Sequence, residues 1–511
     1  MATKYSDFIK IQDFLPVYDI TSELPGSWQT FIPTKQFTDL LTKSVSCIVT
    51  DDLSKRRSIW VRGTFGTGKS HASSVVKHLL CDPSEDIENY LDSFTDISLK
   101  ERIKNIRAEK RYFPVVLKGV EGAYSIPRFS LTLQRATKAA LSAAGHDDFV
   151  VPSDFEVATE WVKKFPSRVS AAIEENEDLR DVASTPEKLL ALLSINDSDA
   201  FMALEEALEK ENTYLNSKSI SDWLVEVEAK IREDNIADGL IIFWDEFTSV
   251  VDTLKSDRID VLQTIAEKSK HCNLFLYLIS HRVETAVMDL KGKDITRMGD
   301  RFENVDYQMD EISTYRILRH TFRVDNTTAY ATYNYNTTHK LDSLVDYLCE
   351  SNTAEEHEHI SNLFPLHPFT AYLCSKMSNL LGSANRSVLK FMNDDTIGFK
   401  HFINDENTCE QHQLLTADWL WDFFFGEFDK DPQCAIFCNT YSTHLPKVEK
   451  MSDRHVKVFK VILLLNALGT RFQKNANPEK LAPNDKNLDY LFAGEMEQDQ
   501  LKQILDWLDS S

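Results

Sequence analysis

Residues Gly63-Thr64-Phe65-Gly66-Thr67-Gly68-Lys69-Ser70 constrain this chain more than any others. They spell G-x-x-x-x-G-K-S between two readable elements. The run Arg57-Ser58-Ile59-Trp60-Val61-Arg62 before them reads as a strand, and the run from His71 to Leu80 after them reads as a helix. A chance match in a surface loop would not carry this context. In a strand–loop–helix of this kind, glycines let backbone N–H groups close around a phosphate, and the helix N-terminus adds a favourable dipole. Lys69 is then placed to reach the β- and γ-phosphates of a nucleotide, and the Ser70 hydroxyl to ligate Mg²⁺.

A second motif supports the first. Gly239-Leu240-Ile241-Ile242-Phe243-Trp244-Asp245-Glu246 is an unbroken apolar run ending in two acids. Such a run fits a strand buried on both faces of a parallel sheet. Carboxylates at its C-terminal end sit where α/β folds bind ligands. Asp-Glu after a strand can also simply cap the next helix. Paired with the phosphate loop, it reads as a Walker B element: Asp245 holds Mg²⁺, and Glu246 orients and polarises the attacking water.

With 511 residues, the chain is expected to form two to four structural units, and 42% hydrophobic residues suffice for ordinary cores. No apolar run is long enough to span a bilayer, and the N-terminus lacks a signal-peptide core, so a cytoplasmic protein without membrane contact is expected. Eight scattered cysteines suggest reduced thiols; Cys434 and Cys438 lack the second pair a zinc site needs. The net charge of −23 argues against a broad nucleic-acid-binding face. From His146 to Asp238 there are 23 acidic and 9 basic residues, a net of −14, which marks a compositionally distinct segment whose simplest reading is a solvated helical surface.

Further candidates follow along the chain. Tyr112 to Leu117 reads as a second core strand, and Asn273 to Ile279 as a third, ending in Ser280-His281. Either Ser280 or His281 could contact the γ-phosphate or the lytic water, the sensor 1 role; an ordinary strand-to-loop transition is the alternative. Ahead of an alternating Val305-x-Tyr307-x-Met309 strand, Arg301 is the candidate arginine finger into a neighbouring subunit, with Arg297 second. A surface salt bridge to Asp300 or Glu303 is the plainer reading. Beyond Glu311 the pattern is almost wholly helical, with a loop expected over 325–336. Arg386, in the first turn after a break at 382–385, is the sensor 2 candidate, and His367 reads as structural. The expected organisation is a leader over 1–50 packing on the core, a core from 51–145 and 239–310, an acidic helical insert over 146–238, a helical lid over 311–405, and a helical, winged-helix-like region over 406–511. A winged helix would need a hairpin after Leu508, so a fragment or a domain completed by a partner is expected.

The order phosphate loop, long insert, Asp-Glu, Ser-His at a strand end, Asp-Arg-Phe and a helical lid with Asn-Arg resembles an AAA+ ATPase of the initiator/STAND-like branch. More narrowly, the stretch from Gly63 to His71, with Pro365-Leu366-His367-Pro368 and Asn385-Arg386-Ser387, resembles the large ATPases of bacterial phage-exclusion (BREX) systems, the BrxC/PglY kind. Members of that group are usually much longer, so a departure from their pattern in the large C-terminal region is expected. The resemblance implies an α/β P-loop NTPase core with ATP and Mg²⁺ bound at Gly63–His71, Asp245 and Arg386. It also implies a homo-oligomer acting with other defence-system proteins and reaching DNA through them. An active ATPase, a nucleotide-gated switch with little turnover, and a scaffold whose acidic insert docks a partner are the competing readings. No transporter signature loop is present, and small-metabolite kinases rarely carry such an insert and lid.

Overall fold

The five runs that flank the polar motifs come together in one parallel sheet. The computed structural model describes residues 4–510 apart from 13–17, 51, 64–66, 120–124, 254–255, 282–299, 309–310, 350–353, 381–387 and 473–477. Its strands are β1 (Ile9–Ile11), β2 (Ser58–Gly63), β3 (Phe113–Lys118), β4 (Leu240–Asp245), β5 (Leu274–His281), β6 (Phe302–Asp306) and β7 (Phe322–Val324). The sheet order is β3-β4-β5-β2-β6, all parallel. The protein is therefore an α/β protein with a five-stranded parallel sheet. The last strand of the sheet begins at Phe302, earlier than the alternation at Val305 suggested.

Strand periodicity explains the two layers of helices. Ile59, Val61, Ile241, Phe243, Phe275, Tyr277 and Ile279 face one side and meet the helices Lys35–Val49, Lys69–Cys81, Ser84–Leu91 and Ile97–Glu109. Trp60, Val115, Leu117, Ile242, Trp244, Leu276 and Leu278 face the other and meet Ile126–Ala143, Ile220–Glu233 and Ser256–Lys268. Right-handed crossovers produce this division. The connection from β2 to β3 runs toward one edge and those from β3 to β4 and β4 to β5 run back, so their helices cover opposite faces. The carboxyl end of β2 lies where the direction changes, the usual ligand crevice of open α/β sheets. Every residue of β4 is buried, as its unbroken apolar run requires.

The acidic segment folds on a core of its own. Helices Asp154–Lys164, Pro166–Glu175, Glu177–Val182, Pro186–Ser194 and Ser198–Lys210 enclose Phe155, Val162, Leu179, Leu189, Phe201 and Leu204. This unit is narrower than the expected 146–238. Phe149, Val151 and the whole apolar face of Ile220–Glu233 belong to the sheet, because that last helix delivers the chain to β4.

Two other boundaries also move. The leader expected over 1–50 divides: Tyr5, Phe8 and Ile9 join the C-terminal helical core, where β1 pairs antiparallel with β7, while residues 18–49 pack on the sheet. The regions expected to separate at 405/406 share one hydrophobic core running from Tyr315 to Ile504. Among the described residues, no strand follows β7, so no wing is seen after the helices Asp453–Phe472, Asp485–Leu491 and Gln498–Asp509. The loop expected over 325–336 is instead the helix Thr327–Thr338. Asn326 caps it by accepting from the Ala329 N–H at 3.0 Å. Tyr330 anchors it in the core, and threonine hydroxyls donate to carbonyls one turn back. Tertiary anchoring here overrides a composition that favours turns. His367 is buried as a structural residue, its Nδ1 accepting from the Phe369 N–H at 3.2 Å.

Candidate functional site

The end of β2 is shaped by close approach. A Cβ on Gly63 would lie 2.1 Å from the Tyr307 carbonyl oxygen and 3.2 Å from Lys69 Cδ, so only glycine fits. The same junction is fastened by the Tyr307 N–H, which donates to the Arg62 carbonyl at 2.6 Å. Thr64, Phe65 and Gly66 lie outside the described residues. Thr67 is buried, and Gly68 starts the helix with φ of +80°, a left-handed conformation that glycine adopts without strain. Lys69 follows as the first helical residue and is 5% exposed. Burial lowers its pKa to about 8, against the attraction of Asp245.

Across the sheet, β4 delivers Asp245 to the same end. It is almost fully buried, and burial pushes its pKa up. The Ser70 hydroxyl, the Glu246 N–H at 2.7 Å and the charge of Lys69 oppose that rise. The two motifs, far apart in the chain, are thus brought side by side. Glu246 adopts φ of +51°, an uncommon conformation for a residue with a side chain. It turns the chain from β4 into the helix Phe247–Thr253, and Ser249 secures the turn by donating its N–H and its hydroxyl to the Glu246 carbonyl. Backbone strain of this kind collects at functional sites.

Lys118 and Asp19 were not evident from the motifs. Lys118 ends β3 in register with Asp245, and its Nζ lies 3.6 Å from Glu246 Oε1 and 2.7 Å from Asp19 Oδ2. Burial works against ionisation of Asp19, but hydrogen bonds from Lys118 and Thr21 hold its pKa at about 2. The hydrogen bond to Asp19, reinforced by Glu246, raises the pKa of Lys118. Next to it, Gly119 N–H donates to the Asp245 carbonyl at 2.8 Å and the Trp244 indole to the Gly119 carbonyl at 2.9 Å, which fastens the ends of β3 and β4 together. The available signal was a lone lysine closing the apolar run Val115-Val116-Leu117.

The leader clamps the helix that carries Lys69. Tyr18 stacks on His71 with ring centroids 4.0 Å apart, and Trp28 stacks on His78 at 4.7 Å. His71 Nε2–H donates to the Ser27 carbonyl at 3.3 Å, and burial lowers its pKa to about 4. Glu23 accepts from Ser74, Lys77 and His78; burial is outweighed by these partners, and its pKa falls to about 2.

The remaining candidates are not all brought to the site. Ser280 is 1% exposed, and its Oγ accepts from the Trp60 indole N–H at 2.7 Å, inside the sheet's second face. That places it in the core and corrects its reading as a phosphate sensor. The register instead sets His281 opposite Gly63. Arg301 directly precedes β6, at the amino ends of the strands, about 15–20 Å along the sheet from Gly63 at six strand residues' rise. It pairs with Glu267 at 2.8 Å, not with Asp300 or Glu303, and both side chains are nearly half exposed. Arg301 therefore does not reach the phosphate loop of its own chain. Arg297 and Arg386 lie outside the described residues.

Chemically, the carboxyl ends of β2 and β4 present a helix N-terminus, a desolvated ammonium, a hydroxyl and a buried carboxylate, with a second carboxylate at the rim. This donor set suits a polyphosphate carrying a hard divalent cation. Comparison with protein-family models, curated proteins and solved structures gave no match to this chain.

Proposed function

We propose that this chain binds and hydrolyses ATP as an AAA+-like P-loop protein. The observation that carries this reading is the juxtaposition of Ser70, the buried Asp245 and the desolvated Lys69 at the carboxyl ends of the strands. Burial disfavours both charges, and a phosphate on Lys69 and a cation at Asp245 would relieve both. Ser70 and Asp245 fit Mg²⁺, which would neutralise developing phosphate charge. Lys69 holds the β- and γ-phosphates, and Glu246 orients the attacking water and takes its proton. His281, in register with the loop, is the remaining sensor candidate. Arg301, at the far end of the sheet, acts only on the nucleotide of a neighbouring copy.

The resemblance extends this reading to the ATPase subunit of a bacterial anti-phage defence complex, oligomeric and cytoplasmic, meeting DNA through partners. In keeping with this, no helix among the described residues is long and apolar enough to cross a membrane. A nucleotide-gated switch is the second reading. It is favoured by Glu246 being engaged by Lys118 rather than free toward the loop. Steady-state ATP hydrolysis against protein concentration separates the two, using wild type, Glu246→Gln and Arg301→Ala. A rate per subunit that climbs with concentration and collapses in both variants supports the oligomeric ATPase. Tight ATP binding with a flat, negligible rate supports the switch. Unchanged ATP affinity in Lys69→Ala would remove the nucleotide site itself.

A further inference from the structure

The acidic insert carries one cationic patch. Lys163, Lys164 and Arg168 are exposed and make no ion pair among the described residues, although acidic residues outnumber basic ones 23 to 9 between His146 and Asp238. Most other cations of that segment are paired with carboxylates: Lys210 with Glu206, Lys218 with Glu226, Lys230 with Asp234 and Arg232 with Glu228. Beside these three in the chain are Trp161 and Phe165, two partly exposed rings with centroids 5.3 Å apart. Lys164 and Arg168 lie over the Phe165 ring at 5.4 and 5.7 Å.

The opposite pole lies at the far end of the helix that carries Arg168. Pro166–Glu175 ends at Glu174 and Glu175, and Glu177 and Asp178 follow at once; all four are exposed and none makes an ion pair among the described residues, while Arg180 nearby donates to the Glu174 carbonyl at 3.4 Å. At 1.5 Å per residue the poles are about 15 Å apart. Helix dipoles account for Lys163 and Lys164, which close the preceding helix, and for Glu177 and Asp178, which open the next. They do not account for Arg168 in the first turn or Glu174 and Glu175 in the last turn of Pro166–Glu175. There each charge opposes the dipole of its own helix. These charges are placed at a local cost, which an intermolecular role would explain.

We propose that this helix and the end of the one before it form a contact between copies of the chain, the cationic-aromatic pole of one docking on the acidic pole of another. The proposal rests on the oligomeric part of the reading above. The partner is a carboxylate-bearing protein surface rather than nucleic acid for two reasons. Three cations within a segment of net −14 make a poor polyphosphate footprint, and Lys164 and Arg168 already occupy the ring on which a base would stack. Unlike poles that pair reciprocally close a two-fold dimer, and unlike poles that pair in one direction give a ring or a filament.

The test is sedimentation of the full chain at low and high salt, with and without ATP and Mg²⁺. Two charge-reversed variants are compared with wild type, K163E/K164E/R168E and E174K/E175K/E177K/D178K. The expected result is salt-sensitive self-association of the wild type, weakened about tenfold or more in each variant and restored when the two are mixed. Arg168→Glu alone should weaken association in the same direction while slightly raising the melting temperature, since it matches the helix dipole. A wild type that stays monomeric in every condition would overturn the proposal. So would reversal without effect, failure of the mixture to recover, or lost binding of a single-stranded oligonucleotide with self-association intact. ATP binding by the reversed variants is expected to be unchanged. A chain that self-associates in this way yet binds no ATP would sink the nucleotide reading and leave the contact standing.

Discussion

Lys118 sits between two carboxylates, and removing the lysine or removing Asp19 should move ATP turnover in opposite directions. Its ammonium is 2.7 Å from Asp19 and 3.6 Å from Glu246. The Lys118 and Glu246 side chains are 31% and 53% exposed, so solvent screens their attraction. An ion pair in such surroundings is worth about 0.5–1 kcal/mol. That energy holds Glu246 away from water activation and must be given back before the reaction. Lys118→Gln should therefore raise the basal rate about two- to fivefold. Asp19→Asn leaves Lys118 with Glu246 alone, so the rate should fall by a similar factor. The double variant should behave like Lys118→Gln, because Asp19 acts only through the lysine. The assay is steady-state phosphate release at saturating ATP, with Glu246→Gln as the background. Both single effects should shrink at high salt, where exposed pairs are screened. If Lys118→Gln instead loses tenfold or more in kcat, Lys118 assists the reaction rather than restraining Glu246. If both single variants shift in one direction, the competition between the carboxylates is not real.

Three further outcomes follow from the same geometry. Ser280→Ala should cost about 1–3 kcal/mol of stability by leaving the buried Trp60 indole N–H unpaired, with ATP turnover little changed; a large loss of turnover at unchanged stability would restore the sensor role. Gly63→Ala should destabilise the fold by about 1–3 kcal/mol or more and abolish nucleotide binding, since its methyl meets the Tyr307 carbonyl; normal denaturant unfolding with intact ATP affinity would refute it. His71 is partly buried in its neutral form with a pKa lowered to about 4, so the unfolded chain takes up its proton first as pH falls through the ordinary histidine value. The stability it contributes is intact above about pH 6.5 and drains away by about 3 kcal/mol toward pH 4. His71→Phe, which keeps the stack on Tyr18, should flatten that part of the pH profile of chemical denaturation, and an unchanged slope would show that other groups carry it.

What the sequence made legible was local. Gly63, Lys69, Ser70 and Asp245 could be read because strand, glycine and helix signals stand next to each other in the chain. Lys118 and Asp19 could not, because what joins them to Glu246 is the register of β3 on β4 and a hydrogen bond across 99 positions. Ser280 was legible in principle. Alternation along β5 sets it on the same face as Leu276 and Leu278, the face buried against Trp60. Its position at a strand end drew attention from that period of two. The helix Thr327–Thr338 had no apolar stripe to announce it; one buried tyrosine and a capping asparagine define it, and both act only once the helical core exists. The division of the leader depends on β1 meeting β7, a pairing of three residues each that no short-range pattern encodes.

A common logic runs through the site. Each charged group is held by another protein group: Asp245 by Ser70 and the Glu246 N–H, Glu246 by Lys118, and Lys118 by Asp19. A phosphate entering the loop must therefore displace protein hydrogen bonds as well as water. That lowers the net gain from binding but makes it felt along the chain of partners, since Ser70 cannot serve both Asp245 and a ligand in one geometry. The last link, Asp19, belongs to the leader whose Tyr18 stacks on His71, two residues from Lys69. The same leader begins in the helical core through β1. Only seven residues, 12–18, separate Ile11 from Asp19, a span of at most about 27 Å for fully extended chain. The helical unit and the carboxylates of the sheet are therefore tied by a short covalent strap, and any displacement of one that exceeds its slack must pull on the pairing of the other.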